Sequence, residues 1–238
     1  MSDISIILIR HGEAAASWSK DPDPGLSDNG HEQAESLLIR HCYQDLSGYQ
    51  FISSPKLRAI ETSNFLAKKF SKDVKTNSTY SEIPSTGILM KDKMEWLGSI
   101  SSMPIEDLPL EVAAWRKEII TSLLSIKNNT IIFSHFMVIN AIVSGLIKRS
   151  EIMHFYPDYT SVTQITLKNK ESEPFASVSI SESIHRRESY EATNNSPLDI
   201  PQSSGPASRV IISEHEEYIV TANLFYQFAD KGIQVPED

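Results

Sequence analysis

Residues 4–12, Ile4-Ser5-Ile6-Ile7-Leu8-Ile9-Arg10-His11-Gly12, decide the fold. The run up to Ile9 is short, apolar and rich in isoleucine, as a strand buried inside a parallel sheet requires. Arg10 and His11 then fall at its C-terminal end. In open α/β sheets the carboxyl ends of the strands border a crevice beside helix N-termini, whose unpaired N–H groups favour anions. A histidine delivered to that place is a candidate for chemistry.

Composition limits what that chemistry serves. The chain has 238 residues, 40% hydrophobic and 22% charged. That suits one α/β domain with an appendage, or two small domains, with a sizeable core. A net charge of −9 argues against nucleic acid or an acidic membrane as a general partner, so an anionic substrate needs a local cationic pocket. Cys42 is the single cysteine. It excludes an intramolecular disulfide, and no Cys/His spacing suits a metal, so no cofactor is expected. The N-terminal apolar run lacks a basic flank and is too short for a signal-peptide core or a membrane span. A cytoplasmic location is the expectation.

Residues 13–25 read as a loop near the end of the first strand. Ser27 suits the N-cap of a helix running to about Cys42, with Ala34, Leu37, Leu38 and His41 on its inner face. Tyr49–Ser53 reads as a second strand. Ser54 then suits an N-cap and Pro55 the first helical position, so a helix is expected to about Phe70. This puts Arg58 about one turn into a helix that starts at the strand ends, where a guanidinium can grip a phosphate through two parallel N–H···O bonds.

Three stretches in this order resemble the histidine phosphatase superfamily, which includes the phosphoglycerate mutases: Leu8-Ile9-Arg10-His11-Gly12-Glu13, Leu26-Ser27-Asp28-Asn29-Gly30-His31-Glu32-Gln33-Ala34, and Ser53-Ser54-Pro55-Lys56-Leu57-Arg58-Ala59-Ile60-Glu61-Thr62. The resemblance reaches about residue 168. It implies a three-layer α/β/α fold with a mostly parallel central sheet and the active site at the strand ends. It also asks for a second histidine after a later strand. Thr130-Ile131-Ile132-Phe133-Ser134 reads as a buried strand after the Asn128-Asn129 turn, and His135 stands at its end.

The resemblance implies catalytic roles for His11 and Glu82, and substrate binding by Arg10, Arg58 and His135. His11 attacks phosphorus as a neutral imidazole, its other N–H held by an acceptor that fixes the tautomer. The two arginines and His135 spread the charge on the phosphoryl oxygens. Glu82, at the end of an expected strand Thr79-Tyr80-Ser81, donates a proton to the leaving oxygen and later activates water. No metal is needed where cations supply that charge. Two positions depart from the family: Phe136 stands where glycine usually follows the second histidine, and Ser17 where the mutases more often carry a phosphate-binding asparagine.

Residues 84–109 read as a small cap, with Met90, Met94, Trp96, Leu97, Ile100 and Met103 offering adaptable apolar contacts. A helix is expected over about Leu110–Ser125, another over Met137–Lys148, then strands over Thr160–Leu167 and Phe175–Ile180. His31, His41, His154 and His185 lack a partner pattern and read as structural or exposed. Residues 1–185 thus form the catalytic domain. Within 186–238, Ser189–Ser208 reads as a linker, and Ser213-Glu214-His215-Glu216 has the form of a capping box. Tyr218, Ala222, Phe225 and Ala229 then share one helical face, which would dock on its own domain or on the partner in a homodimer. The leading reading is a metal-independent phosphatase acting on a phosphorylated metabolite or phosphoprotein through phosphohistidine. The alternatives are mutase-type phosphoryl transfer and a catalytically weak scaffold that binds through the C-terminal helix.

Overall fold

The computed structural model describes residues 3–16, 21–39, 45–169, 207–214 and 218–226. Ser17, His41, Cys42, His185, the Phe175–Ile180 strand, nearly all of the Ser189–Ser208 linker and Ala229 lie outside them. The elements in order are β1 (Ile4–Arg10), α1 (Asp28–Ser36), β2 (Gln50–Ser53), α2 (Leu57–Phe70), β3 (Val74–Thr76), α3 (Lys93–Ser101), α4 (Leu110–Leu124), β4 (Thr130–Ser134), α5 (Phe136–Leu146), β5 (Val162–Asn169), β6 (Ala207–Glu214) and β7 (Tyr218–Tyr226).

They build one sheet in the order β3-β2-β4-β1-β5-β7-β6. The first four strands in that order run parallel, and β5 is antiparallel to β1. Alternation along β1 makes the layers. Ile6 and Leu8 face one way, onto Ile119 and Leu123 of α4 and Val138, Ile142 and Val143 of α5. Ile7 and Ile9 face the other way, onto Leu37 and onto Leu66 and Ala67 of α2. Each buried Ile or Leu contributes about 1.5–3 kcal/mol, so a strand apolar on both sides is held by both helical layers. The expected α/β/α fold is the one found.

The segment expected to form a small cap carries α3 with its flanking 3-10 turns and packs onto α4 and α5. Ile100 packs with Ile83, Leu108, Val112 and Met137, with Trp96 and Leu97 at its edge.

Three local expectations are corrected. Ser54 does not cap α2; the helix begins two residues past Pro55, at Leu57, and its first N–H donates instead to Asp23 Oδ1 at 3.1 Å. Thr79-Tyr80-Ser81 is no strand either. Residues Ser78–Tyr80 form a 3-10 turn in which Asn77 Oδ1 accepts from the Thr79 N–H at 3.0 Å, so local asparagine turn chemistry overrides the strand propensity of threonine and tyrosine. The C-terminal helix is replaced by the antiparallel strands β6 and β7, and β7 pairs with β5 from Val162↔Phe225 to Asn169↔Tyr218. Val210-Ile211-Ile212 and Tyr218-Ile219-Val220 are strong strand formers. Beside them the edge of β5 offers backbone groups that need partners, and this outweighs the local capping-box pattern.

The turn after β1 and the start of α1 approach so closely that only glycine fits. A Cβ at Gly12 would stand 2.6 Å from the Gly30 carbonyl oxygen, and one at Gly30 would collide with the Glu13 carbonyl. Ser27 caps α1 there by accepting from the Gly30 N–H at 2.9 Å. Gly30→Ala is expected to lose about 1–3 kcal/mol of stability through overpacking against rigid backbone, read as a lower urea midpoint with an unchanged slope.

Candidate active site

Parallel pairing fixes which residues meet. Arg10 lies opposite Ser134 across β1 and β4, and Ser53 opposite Phe133 across β2 and β4. The residues after these strands, His11, His135 and Ser54, therefore emerge side by side. The first turn of α2 adds Arg58, and the segment after the 78–80 turn adds Glu82. All five residues expected from the sequence come together, and Arg10, His11, Arg58 and His135 are buried.

Arg58 lies between the two histidines. Its Nε–H donates to His11 Nε2 at 3.1 Å, and its Nη2 lies 3.4 Å from His135 Nδ1. The imidazole rings are 5.2 Å apart, edge to face. His11 Nδ1 sits 2.6 Å from the Gly12 carbonyl, an acceptor that keeps the proton on Nδ1 and leaves the lone pair on Nε2. His135 Nε2 is 2.7 Å from Ser54 Oγ, a hydroxyl that can donate to the ring or accept from it. Burial lowers the pKa of both histidines well below the usual value. The charges of Arg58 and then Arg10 add to this at His11, while the Gly12 hydrogen bond opposes it. At His135 the further contributions come from Arg58, His11, Arg10 and Lys56. Both rings are neutral at pH 7, so the 3.8 Å approach of Glu82 Oε2 to His135 Nδ1 is a polar contact and not an ion pair.

Arg10 is held from the far side. Its Nη1 donates to the Pro157 carbonyl at 3.1 Å, and its guanidinium carbon lies 4.0 Å from the Tyr159 ring centre and 5.3 Å from that of Phe136. Cation–π contacts of this kind are worth about 0.5–2 kcal/mol. Phe136 thus departs from the expected glycine without distorting the chain: it opens α5 in helical conformation, where glycine's freedom is not used, and its ring becomes a wall beside Arg10. Thr160 follows Tyr159 with a φ of 50°, a left-handed conformation that costs a β-branched residue about 1–3 kcal/mol. Its N–H reaches the His11 carbonyl at 3.4 Å.

Glu82 accepts the Ile83 N–H at 3.0 Å and is anchored through Tyr80, whose carbonyl takes the Ser134 hydroxyl at 2.8 Å. Thr62 locks the turn after His11 to α2 by accepting from the Gly12 N–H at 3.0 Å and donating to the Arg58 carbonyl at 2.7 Å. Sequence reasoning missed Lys93, on the inner face of α3 with Trp96 and Ile100. Its pKa is lowered by burial, and also by Arg58 and Lys56, while Glu82 opposes the shift. The i, i+3, i+7 spacing of Lys93, Trp96 and Ile100 was the available signal. Among the described residues no cluster of three His, Cys, Asp or Glu side chains could hold a metal ion, and no helix is long and apolar enough to cross a membrane.

The family model for histidine phosphatase superfamily (branch 1) matches residues 6–175. The chain belongs to this superfamily. Solved structures with the same fold include a phosphoserine phosphatase of Entamoeba histolytica in complex with phosphoserine, 24% identical, with a TM-score of 0.51 over 68% of this chain and 90% of that one. A mycobacterial glucosyl-3-phosphoglycerate phosphatase has 17% identity and a TM-score of 0.53 over 69% and 91% of the two chains. A phosphoglycerate mutase of Bacillus anthracis has 17% identity and a TM-score of 0.51 over 69% and 88%. Comparison with curated proteins finds no match. For this superfamily member the comparisons establish fold and family and support an enzyme.

The lowered histidine pKa values have a thermodynamic sign. In the unfolded chain both rings protonate near pH 6.5, while in the folded protein they stay neutral to well below it. The unfolded state then binds more protons, so stability is full above pH 6.5 and falls as pH drops beneath it, by up to about 1.4 kcal/mol per pH unit for each ring. His135→Gln is expected to reduce that slope by the share of one ring, measured by urea unfolding between pH 7 and 5.

Proposed function

We propose that this protein is a phosphatase that hydrolyses phosphomonoesters through a phosphohistidine on His11, without a metal. The observation that carries the reading is the placement of Arg58 between two neutral, buried histidines, with its Nε–H on the His11 Nε2 lone pair. That is an arrangement waiting for an anion. A phosphoryl group entering here takes over the Arg58 donors and frees Nε2.

His11 Nε2 forms the bond to phosphorus while the ester P–O bond breaks in line. The leaving oxygen takes its proton from the Glu82 carboxyl group. The phosphorylated ring carries positive charge, which the Nδ1–H to Gly12 carbonyl bond stabilises. Arg10 and Arg58 surround the phosphoryl oxygens, and the neutral His135 donates to them from Nδ1 in the tautomer whose Nε2 accepts from the Ser54 hydroxyl, so catalysis rests on position and electrostatics. In the second half, Glu82 as carboxylate accepts a proton from the attacking water, the N–P bond breaks, and phosphate departs from a neutral His11. Support for hydrolysis over mutase transfer comes from the small size of the 84–109 segment, which carries the single short helix α3.

The test is hydrolysis of a chromogenic phosphomonoester with chelator present. Glu82→Gln is expected to lower kcat by about 10²- to 10⁴-fold on an ester with a poor leaving group. Arg58→Ala is expected to lower kcat/KM by about ten- to a hundredfold, the worth of one charge-assisted hydrogen bond. His11→Ala abolishes turnover. Activity that survives His11→Ala, or that needs an added metal, contradicts the reading.

A further inference from the structure

The loop ahead of α1 places a carboxylate against the outer side of the anion site. Asp23, side chain 42% exposed, accepts the Leu57 N–H at the start of α2 at 3.1 Å. It stands 3.9 Å from Lys56 Nζ and 4.0 Å from Arg58 Nη1. That Nη1 is buried and makes no hydrogen bond, while the other Arg58 nitrogens face the two histidines. The loop is further tied down by Lys56 Nζ to the Pro22 carbonyl at 3.4 Å. Asp23 is therefore the half-exposed group on the Nη1 side of a guanidinium that is otherwise out of solvent, and it sits where helix dipole, lysine and arginine all attract negative charge.

We propose that Asp23 is an internal anion of the phosphate site, competing with bound phosphate for Arg58 and Lys56 and so setting how weakly the product is held. The proposal rests on the anion-binding reading of the site given above. The carboxylate satisfies the α2 N-terminus and offsets the buried cation. A phosphate oxygen that reaches Arg58 Nη1 comes within a few ångströms of it, and the two like charges repel. A hydrolase gains from this, because a site built from two arginines and a helix N-terminus otherwise retains the phosphate it releases.

The probe is inorganic phosphate, titrated calorimetrically into the full chain and into Asp23→Asn, which keeps an oxygen acceptor for the Leu57 N–H. Asp23→Asn is expected to bind phosphate about fivefold more tightly at low salt, the scale of one partly exposed charge pair, and the difference is expected to shrink in about 0.5 M salt. Asp23→Ser, which also keeps a small acceptor, should behave likewise, so a local loss of helix capping in one variant does not decide the result. An unchanged or weaker affinity in both variants overturns the proposal and makes Asp23 a structural cap. His11-dependent turnover with unchanged phosphate affinity overturns this inference alone, whereas no phosphate binding by either protein overturns it together with the reading of the site.

Discussion

The parallel pairing of β1 with β4 is the constraint on which the site depends. Because Arg10 faces Ser134 across that ladder, the next residue on each strand is a histidine, and the two rings meet 5.2 Å apart. A slip by one residue would send one ring to the opposite face of the sheet. The register is held by the side chains that make the core: Ile6 and Leu8 on one face and Ile7 and Ile9 on the other each lock into a helical layer. Packing energy far from the chemistry therefore sets the histidine separation.

The electrostatics follow from that burial. Two arginines and two histidines leave water together, and charged groups are costly to desolvate unless paired. The protein meets the cost by keeping both rings neutral and by giving each arginine partial partners. Arg58 has two ring nitrogens and the distant Asp23 carboxylate, and Arg10 has the Pro157 carbonyl and the rings of Tyr159 and Phe136. In the proposed reaction these fixed cations face the phosphoryl group. Preorganisation of this kind lets fixed cations stabilise the transition state without reorganising during reaction.

The parts of this arrangement that local pattern dictates were readable in the sequence. Apolar runs ending in Arg10-His11 and Ser134-His135 announced two strand ends, and the three ordered motifs named the family before any fold was in view. What local pattern does not contain was missed. Ser54 has the residue type of a helix cap, yet it emerges beside His135 and bonds to it, and the acceptor for the helix's first N–H comes from Asp23, 34 residues before Leu57. Lys93 reads as a solvated lysine until α3 is laid over Glu82. Residues 213–226 carry a fair helical pattern, but the unpaired edge of β5 makes strand addition the better solution. Phe136 reads from the sequence only as a departure from glycine, because its helical backbone and its place beside Arg10 are tertiary facts.

The most direct test of the account is the covalent intermediate. Protein mixed with a ³²P-labelled phosphomonoester and quenched in base within one turnover is predicted to carry acid-labile, base-stable label on the peptide that contains Arg10 and His11, and no label in His11→Ala. Label on another residue, or a burst of product with no protein-bound phosphate, would contradict it.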